Sequence, residues 1–152
     1  MSISILYQNN RTGDAFDITS LCTGAKWATK RIGTPASLEL TTFANSDVAW
    51  THGGILALKD DKNGLFYGYV VKVSQNEKDQ VTVTAYDQTW YLKKNKETYV
   101  FANKRADEIL TQIAADFDLV CGAMENTGYV IPSMVEDGQT LFDIALTALD
   151  HT

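Results

Sequence analysis

The side chains best suited to chemistry in this chain are two histidines, His52 and His151, and two cysteines, Cys22 and Cys121. The histidines are separated by almost the whole chain. A zinc site needs three or four His, Cys or acidic ligands, some at short spacing, and no such cluster occurs. Cys121 and His151 could be joined only by the fold, as a thiol nucleophile and its base. A surface or buried thiol is the commoner role for a lone cysteine. With no CxxC and no even framework, Cys22 and Cys121 read as reduced thiols, one long-range disulfide being the alternative. Glycoside hydrolysis needs two carboxylates at a set separation. Asp60-Asp61 falls in an expected turn and Glu136-Asp137 at an expected helix start, and each pair is explained by those roles. Trp27, Trp50 and Trp90 could form sugar platforms, but they lie among strand residues where core packing accounts for them. Gly53-Gly54 reads as a turn, and no phosphate-cradling loop, dinucleotide fingerprint or nucleophile elbow is present. No catalytic, cofactor-binding or metal-ligating residue is therefore assigned, and no cofactor is expected.

The elements that would position these groups are those of an ordinary globular chain of 152 residues, 45% hydrophobic and 21% charged. A chain of this size buries about two-thirds of its surface on folding, enough for a core without metal or disulfides. No stretch nears the about 18 apolar residues of a membrane span, and MSISILYQNN lacks the basic and apolar regions of a secretory signal. The net charge of −6 argues against nucleic-acid binding, which needs a basic footprint. The charge is uneven. Residues 1–103 carry 11 Lys/Arg and 10 Asp/Glu, whereas residues 104–152 carry 2 and 9. That step marks either two modules in different surroundings or acidic helices that follow a neutral sheet.

The first hundred residues read as strands. Ala36 to Phe43 and Val81 to Tyr86 alternate with period two, and residues 65–74 are rich in aromatic and β-branched side chains. Gly68 is expected to mark a bulge or a bend. Asp60 to Gly64, with its Asn-Gly pair, predicts a hairpin between residues 55–60 and 65–74. Asn76 to Asp79 predicts a second hairpin, and Asn9 to Asp14 separates Ile3–Tyr7 from Ala15–Ile18. The sum is a small antiparallel barrel or sandwich. From Asn103 the period changes. Ala106, Ile109, Leu110, Ile113, Ala114 and Phe117 form a helical stripe with Asn103 as its N-cap. A second helix is expected over residues 138–150 with Asp137 as its cap, and an extended piece precedes Pro132. The fold class is α+β: residues 1–102 form a β-barrel and residues 103–152 an acidic two-helix module. The end of the chain directly after the second helix suggests a fragment of a longer protein.

Several segments resemble a known family. Thr84-Ala85-Tyr86-Asp87, Tyr91-Leu92, Lys94-Asn95-Lys96, Thr98-Tyr99-Val100-Phe101 and Asn103-Lys104 are similar to the XkdQ/YqbQ family of phage tail proteins. The similarity continues through Ala106 to Ile109, Thr127 to Pro132 and Gln139 to Ile144, and more loosely through Trp27 and Ser37 to Leu40. The resemblance implies a baseplate hub of a contractile, PBSX-like tail, built from tube-like β-barrels with small α/β modules beside them. It implies a structural, non-enzymatic component whose partners are tail-tube, spike or tail-tip proteins. It also implies a homotrimer in the full-length hub, assembled in the bacterial cytoplasm and carried in the virion or tail-like particle. The chain departs from the family by stopping after the first barrel and the start of the next module. The alternatives are a cell-wall hydrolase or a carbohydrate-binding module of the tail tip.

Overall fold

The computed structural model describes residues 2–44 and 47–152. The chain divides into two compact units, Met1–Trp90 and Tyr91–Thr152.

The first unit is a seven-stranded antiparallel sheet built from β1 (Ile3–Gln8), β2 (Ala15–Asp17), β3 (Cys22–Ala28), β4 (Ser37–Phe43), β5 (Ile55–Asp60), β6 (Asn63–Gln75) and β7 (Gln80–Asp87). Its strand order is β2-β1-β5-β6-β7-β4-β3. Among the described residues no ladder joins β2 to β3, so the sheet is a half-barrel with two free edges. Alternation places Ile5 and Tyr7, Leu38 and Leu40, Leu56 and Leu58, and Val81, Val83 and Ala85 in one core with Phe66 and Val70. Their neighbours, among them Thr82 and Thr84 and also Leu6, Ala57 and Tyr67, lie on the opposite face.

Both expected hairpins form, with one local change. Asp60 pairs with Asn63, and the residue with positive φ is Asp61 at 51°. Asn63 and Gly64 lie in β6 rather than at the turn, because the short polar side chain of Asp tolerates the left-handed region that the Asn-Gly pair was expected to occupy. The second hairpin turns as expected. Asn76 Oδ1 accepts from the backbone N–H groups of Lys78 and Gln80, and Asp79 has φ 54°. The loop before β2 is held by Asn9, whose Oδ1 accepts from the N–H of Arg11.

Gly68 is not a bulge. The register shifts in β6 fall between Val70 and Lys72 against β7, and opposite Leu58/Lys59 of β5. Gly68 instead marks a close approach, since a Cβ there would lie 2.3 Å from the Tyr86 carbonyl oxygen.

The second unit is a two-stranded antiparallel ribbon, β8 (Lys96–Arg105) and β9 (Val130–Thr140), backed by two helices, α2 (Ala106–Asp116) and α3 (Leu141–Asp150). A short helix α1 (Thr89–Lys94) spans the point where the two units divide. Residues 96–102, expected in the barrel segment, therefore pair with β9 instead. Pairing across so long a sequence gap leaves no local period to read.

Asn103 is not the N-cap of α2. It lies inside β8 with φ 52°, and the register sets it opposite Pro132, whose missing N–H leaves a gap in the ladder. This left-handed residue shifts the alternation. Met134 and Ile131, three apart on β9, consequently both face the core with Phe101. Arg105 precedes α2, and its backbone N–H donates to Glu108 Oε2 at 2.8 Å. Asp137 is likewise not a cap. It accepts from the Thr98 hydroxyl at 2.7 Å within the ribbon, and Gly138, expected in the helix, lies in β9 with φ 61°. Thr140 caps α3, its Oγ1 accepting from the Asp143 N–H at 3.1 Å. Thr140→Ala should lower the stability of residues 91–152 by about 1 kcal/mol, read as a shift of the urea midpoint at unchanged slope.

The core of the second unit contains Phe101, Ile109, Ile113, Ile131, Met134, Leu141 and Ile144. The stripe predicted for α2 holds, with Ala106, Ile109 and Ile113 buried and Leu110 and Phe117 packed partly against them.

Candidate interaction surfaces

The residues first considered for chemistry do not converge. Both cysteines are free, so the alternative of a disulfide is not realised. Burial pushes the Cys22 thiol up from its ordinary value, which disfavours the nucleophilic thiolate. His151 ends α3, exposed, and Cys121 lies in the loop after α2, with no hydrogen bond between them. Among the described residues no group of three or more His, Cys, Asp or Glu side chains is arranged to hold a metal ion. No described helix is long and apolar enough to cross a membrane. Asp60 and Asp61 occupy a turn in the first unit, and Glu136 and Asp137 follow one another in β9 of the second. Asp137 is engaged within the ribbon by the Thr98 hydroxyl, a structural role.

The tryptophans separate into two kinds. Trp50 packs on the first core, 4.5 Å from the Tyr7 ring, and Trp90 stacks on Tyr86 at 6.3 Å. Trp50 follows the expectation of core packing, and Trp90 follows it only in part, being half-buried and outside the core cluster. Trp27 does not: it stands 43% exposed on β3. Gly53-Gly54 is a turn that meets β6, where the Val70 N–H donates to the Gly54 carbonyl at 2.8 Å. A Cβ on Gly54 would meet the buried Tyr7 ring at 2.6 Å.

The most ordered polar cluster is structural. Asp107, near the start of α2, accepts from Arg105 Nε and from its second guanidinium nitrogen, each at 3.0 Å. It also accepts from the Thr127 N–H at 3.2 Å and hydroxyl at 3.0 Å. One carboxylate thus ties the loop before β9 to the helix start. The hydrogen bonds from Arg105 hold its carboxyl well below the usual range, with Thr127 adding to them and partial desolvation opposing. The folded value lies below the unfolded one of about 3.9. The stabilisation is therefore complete above that pH and is lost as pH falls below it toward the folded value. Asp107→Asn should lower the Tm of the second unit at neutral pH and flatten its dependence on pH below about 4, measured by near-UV circular dichroism over a pH series. An unchanged acid limb would show that Asp107 does not fasten the loop.

Sequence reasoning missed the features left for function to use, which are edges and faces. Among the described residues β3 pairs only with β4, and six of its seven residues are exposed. An edge strand exposed on both sides offers a row of backbone donors and acceptors to another chain. The ribbon of the second unit also has an apolar outer pair: Val100 lies opposite Val135, and they are 70% and 63% exposed. On the outer face of the half-barrel, Tyr67 and Tyr69 meet edge to face at 6.1 Å.

A curled antiparallel sheet with free edges, followed by a helix-backed ribbon, is a fold found in phage tail proteins. The structure superposes with a TM-score of 0.76 on the 43 kDa tail protein of prophage MuSo2 from Shewanella oneidensis, at 14% identity, covering 97% of this chain and 47% of that one. The chain belongs to the YQBQ-like family, whose model matches residues 25–152. It is 43% identical over 104 residues to the protein YqbQ of Bacillus subtilis (strain 168), covering 67% of this chain and 31% of that protein. It is 35% identical over 127 residues to the phage-like element PBSX protein XkdQ of the same strain, covering 80% of this chain and 39% of XkdQ. The chain thus spans well under half the length of the relatives it matches.

Proposed function

We propose that the chain forms the first part of a baseplate hub of a contractile phage tail or tail-like particle, a structural piece that connects the tail tube to the spike or tail tip. The observation that carries this reading is the half-barrel whose β3 edge is unpaired and exposed at six of seven positions. Only a closed ring or a neighbouring strand removes such an edge. Cyclic packing of copies supplies that neighbour. The likeness to XkdQ of the PBSX element and to a prophage tail protein supports the same assignment. In this reading the hub is a homotrimer, each copy giving two barrels, of which residues 1–90 form the first and residues 91–152 begin the adjoining module. It assembles in the bacterial cytoplasm with tube, spike or tail-tip proteins and ends in the particle. It works without a cofactor and transforms no substrate.

The test is the oligomeric state of this polypeptide with its natural downstream sequence, by sedimentation and electron microscopy, beside a peptidoglycan turbidity assay. A trimer with pseudo-sixfold barrels and no clearing is expected. A stable monomer that clears cell walls would replace the hub with a hydrolase.

A further inference from the structure

Asn63-Gly64 carries the sequence signal of a turn, yet the fold leaves it at the first two positions of β6. The turn is Asp61-Lys62, and Asp60 and Asn63 are the closing pair of the hairpin. Asn63 and Gly64 are both exposed. What remains is a reactive pair: a side-chain carboxamide and, one peptide bond on, a backbone nitrogen that no Cβ crowds.

Both groups are available. The Asn63 carboxamide makes no hydrogen bond to a described residue. The register frees the Gly64 nitrogen as well. The Asp61 N–H donates to the Ser2 carbonyl at 2.8 Å, so on this stretch of chain residues 61 and 59 turn their backbone groups toward β1. Asp60 then turns its own toward β6 and exchanges hydrogen bonds with Asn63, whereas Lys59 and Gly64 form a non-hydrogen-bonded pair. The Gly64 N–H therefore points away from β5. On its other side β7 begins to pair with β6 only at Gly68, so among the described residues nothing in the sheet accepts from it. Other asparagines are held differently. Asn9, Asn76 and Asn126 grip backbone N–H groups through Oδ1, Asn95 donates to the Tyr91 carbonyl, and none of them precedes a glycine.

We propose that Asn63-Gly64 is a self-modifying site, at which asparagine is converted through a cyclic imide to aspartate and isoaspartate. The Gly64 nitrogen gives up its proton and bonds to Asn63 Cγ. The bond from Cγ to the side-chain nitrogen breaks, and that nitrogen leaves as ammonia with the proton. Water then opens the ring at one of its carbonyls, its hydroxyl going to carbon and its remaining proton to nitrogen. Opening at Cγ gives aspartate in an ordinary chain. Opening at the backbone carbonyl gives isoaspartate, with the chain running through Cβ and Cγ. No oxidant, metal or enzyme takes part. Ring closure needs the Asn63 backbone to swing out of its extended conformation, so the Asp60/Asn63 pair must open first. That pair lies at the exposed end of the hairpin, where opening costs least. Either product adds a negative charge beside Asp60 and Asp61. Isoaspartate also lengthens the backbone ahead of Phe66, which is fixed in the first core, so the tip absorbs the extra link at the expense of its closing pair.

The purified chain, incubated at neutral and at mildly alkaline pH, is digested with pepsin in acid, which stops the reaction, and mapped by mass spectrometry. Isoaspartate is counted by methyl transfer from S-adenosylmethionine with a protein isoaspartate methyltransferase. The peptide holding Asn63 should gain the mass of an amide-to-acid exchange, with isoaspartate as the larger product. The change should be faster at the higher pH, where the Gly64 nitrogen loses its proton more readily. Asn9, Asn76, Asn95 and Asn126 should remain amides. Gly64→Ala should abolish the change over the time that converts most of the wild type, because its methyl group crowds the attacking nitrogen. A Cβ there meets nothing within 4 Å, so this variant keeps the fold, which far-UV circular dichroism checks. Asn63→Gln should abolish it too, since the longer side chain must close a larger ring. An Asn63 that stays an amide in the folded chain overturns the proposal, and a urea-unfolded sample beside it shows whether the hairpin is the shield. Aspartate without isoaspartate, the mark of direct hydrolysis with no ring, or a Gly64→Ala rate equal to wild type overturns it as well.

Discussion

Replacing Gly68 with alanine should destabilise the half-barrel more than any other single-methyl addition. Gly68 lies in β6, between β5 and β7, paired with Leu56 on one side and Asp87 on the other. An added Cβ would lie 2.3 Å from the Tyr86 carbonyl oxygen, 2.7 Å from its carbonyl carbon and 2.5 Å from Phe66 Cζ. The Phe66 ring could in principle move, but it is buried in the same core. The Tyr86 carbonyl belongs to the backbone of β7 and cannot move without opening the β6–β7 ladder. Overpacking that a side chain can relieve costs about 1–3 kcal/mol, and relief here requires strand displacement, so about 3 kcal/mol or more is expected. For a unit of this size that lowers the Tm by at least about 12 °C. A second substitution, Phe66→Leu, should recover little, because the tightest contact is with backbone. Calorimetry of Gly68→Ala checks this, and a Tm within about 3 °C of wild type would show that the strands are not held as close as the structure has them.

Gly68 also shows where the sequence was informative and where it was not. A glycine inside an aromatic and β-branched run signals backbone irregularity, but a bulge, a bend and a close approach share that signal. Only the position of Tyr86 on the neighbouring strand separates them. The alternating strands Ser37–Phe43 and Gln80–Asp87 were legible because a half-buried sheet writes its core into every second residue. Helix α2 was legible over its stripe and misplaced at its start, since Asn103 has the chemistry of a cap. Its short polar side chain serves equally well in the left-handed position opposite Pro132. Strand β8 was hidden because its partner begins some twenty-five residues later and its alternation breaks at Asn103. The β3 edge was legible as a strand only in part. Nothing in the pattern of Ala25-Lys26-Trp27-Ala28 tells that both of its faces are bare, because exposure there reflects a neighbour the sheet lacks. An interface made of edges leaves no motif. Its residues are ordinary strand and loop residues, and their role follows from what fails to cover them.

Truncating Ile144 tests whether the acidic unit is a separate cooperative body. Ile144 is fully buried in α3, in one core with Ile109, Ile113, Ile131, Met134 and Leu141. Ile→Ala at such a site costs about 2–5 kcal/mol, the spread reflecting how far the surroundings collapse into the cavity. Two helices on a two-stranded ribbon form a small core, and a body of this size has little stability to spare. Native-state amide exchange should therefore show protection across β8, α2, β9 and α3 falling by about 30-fold or more. The strands of residues 3–87 draw on their own core and should keep theirs. If both sets of amides fall together, the chain folds as one cooperative body, and a hub built from separable barrel and module loses its physical basis. If the first set holds while the second falls, the half-barrel persists with its β3 edge intact, and barrel and module are separable bodies.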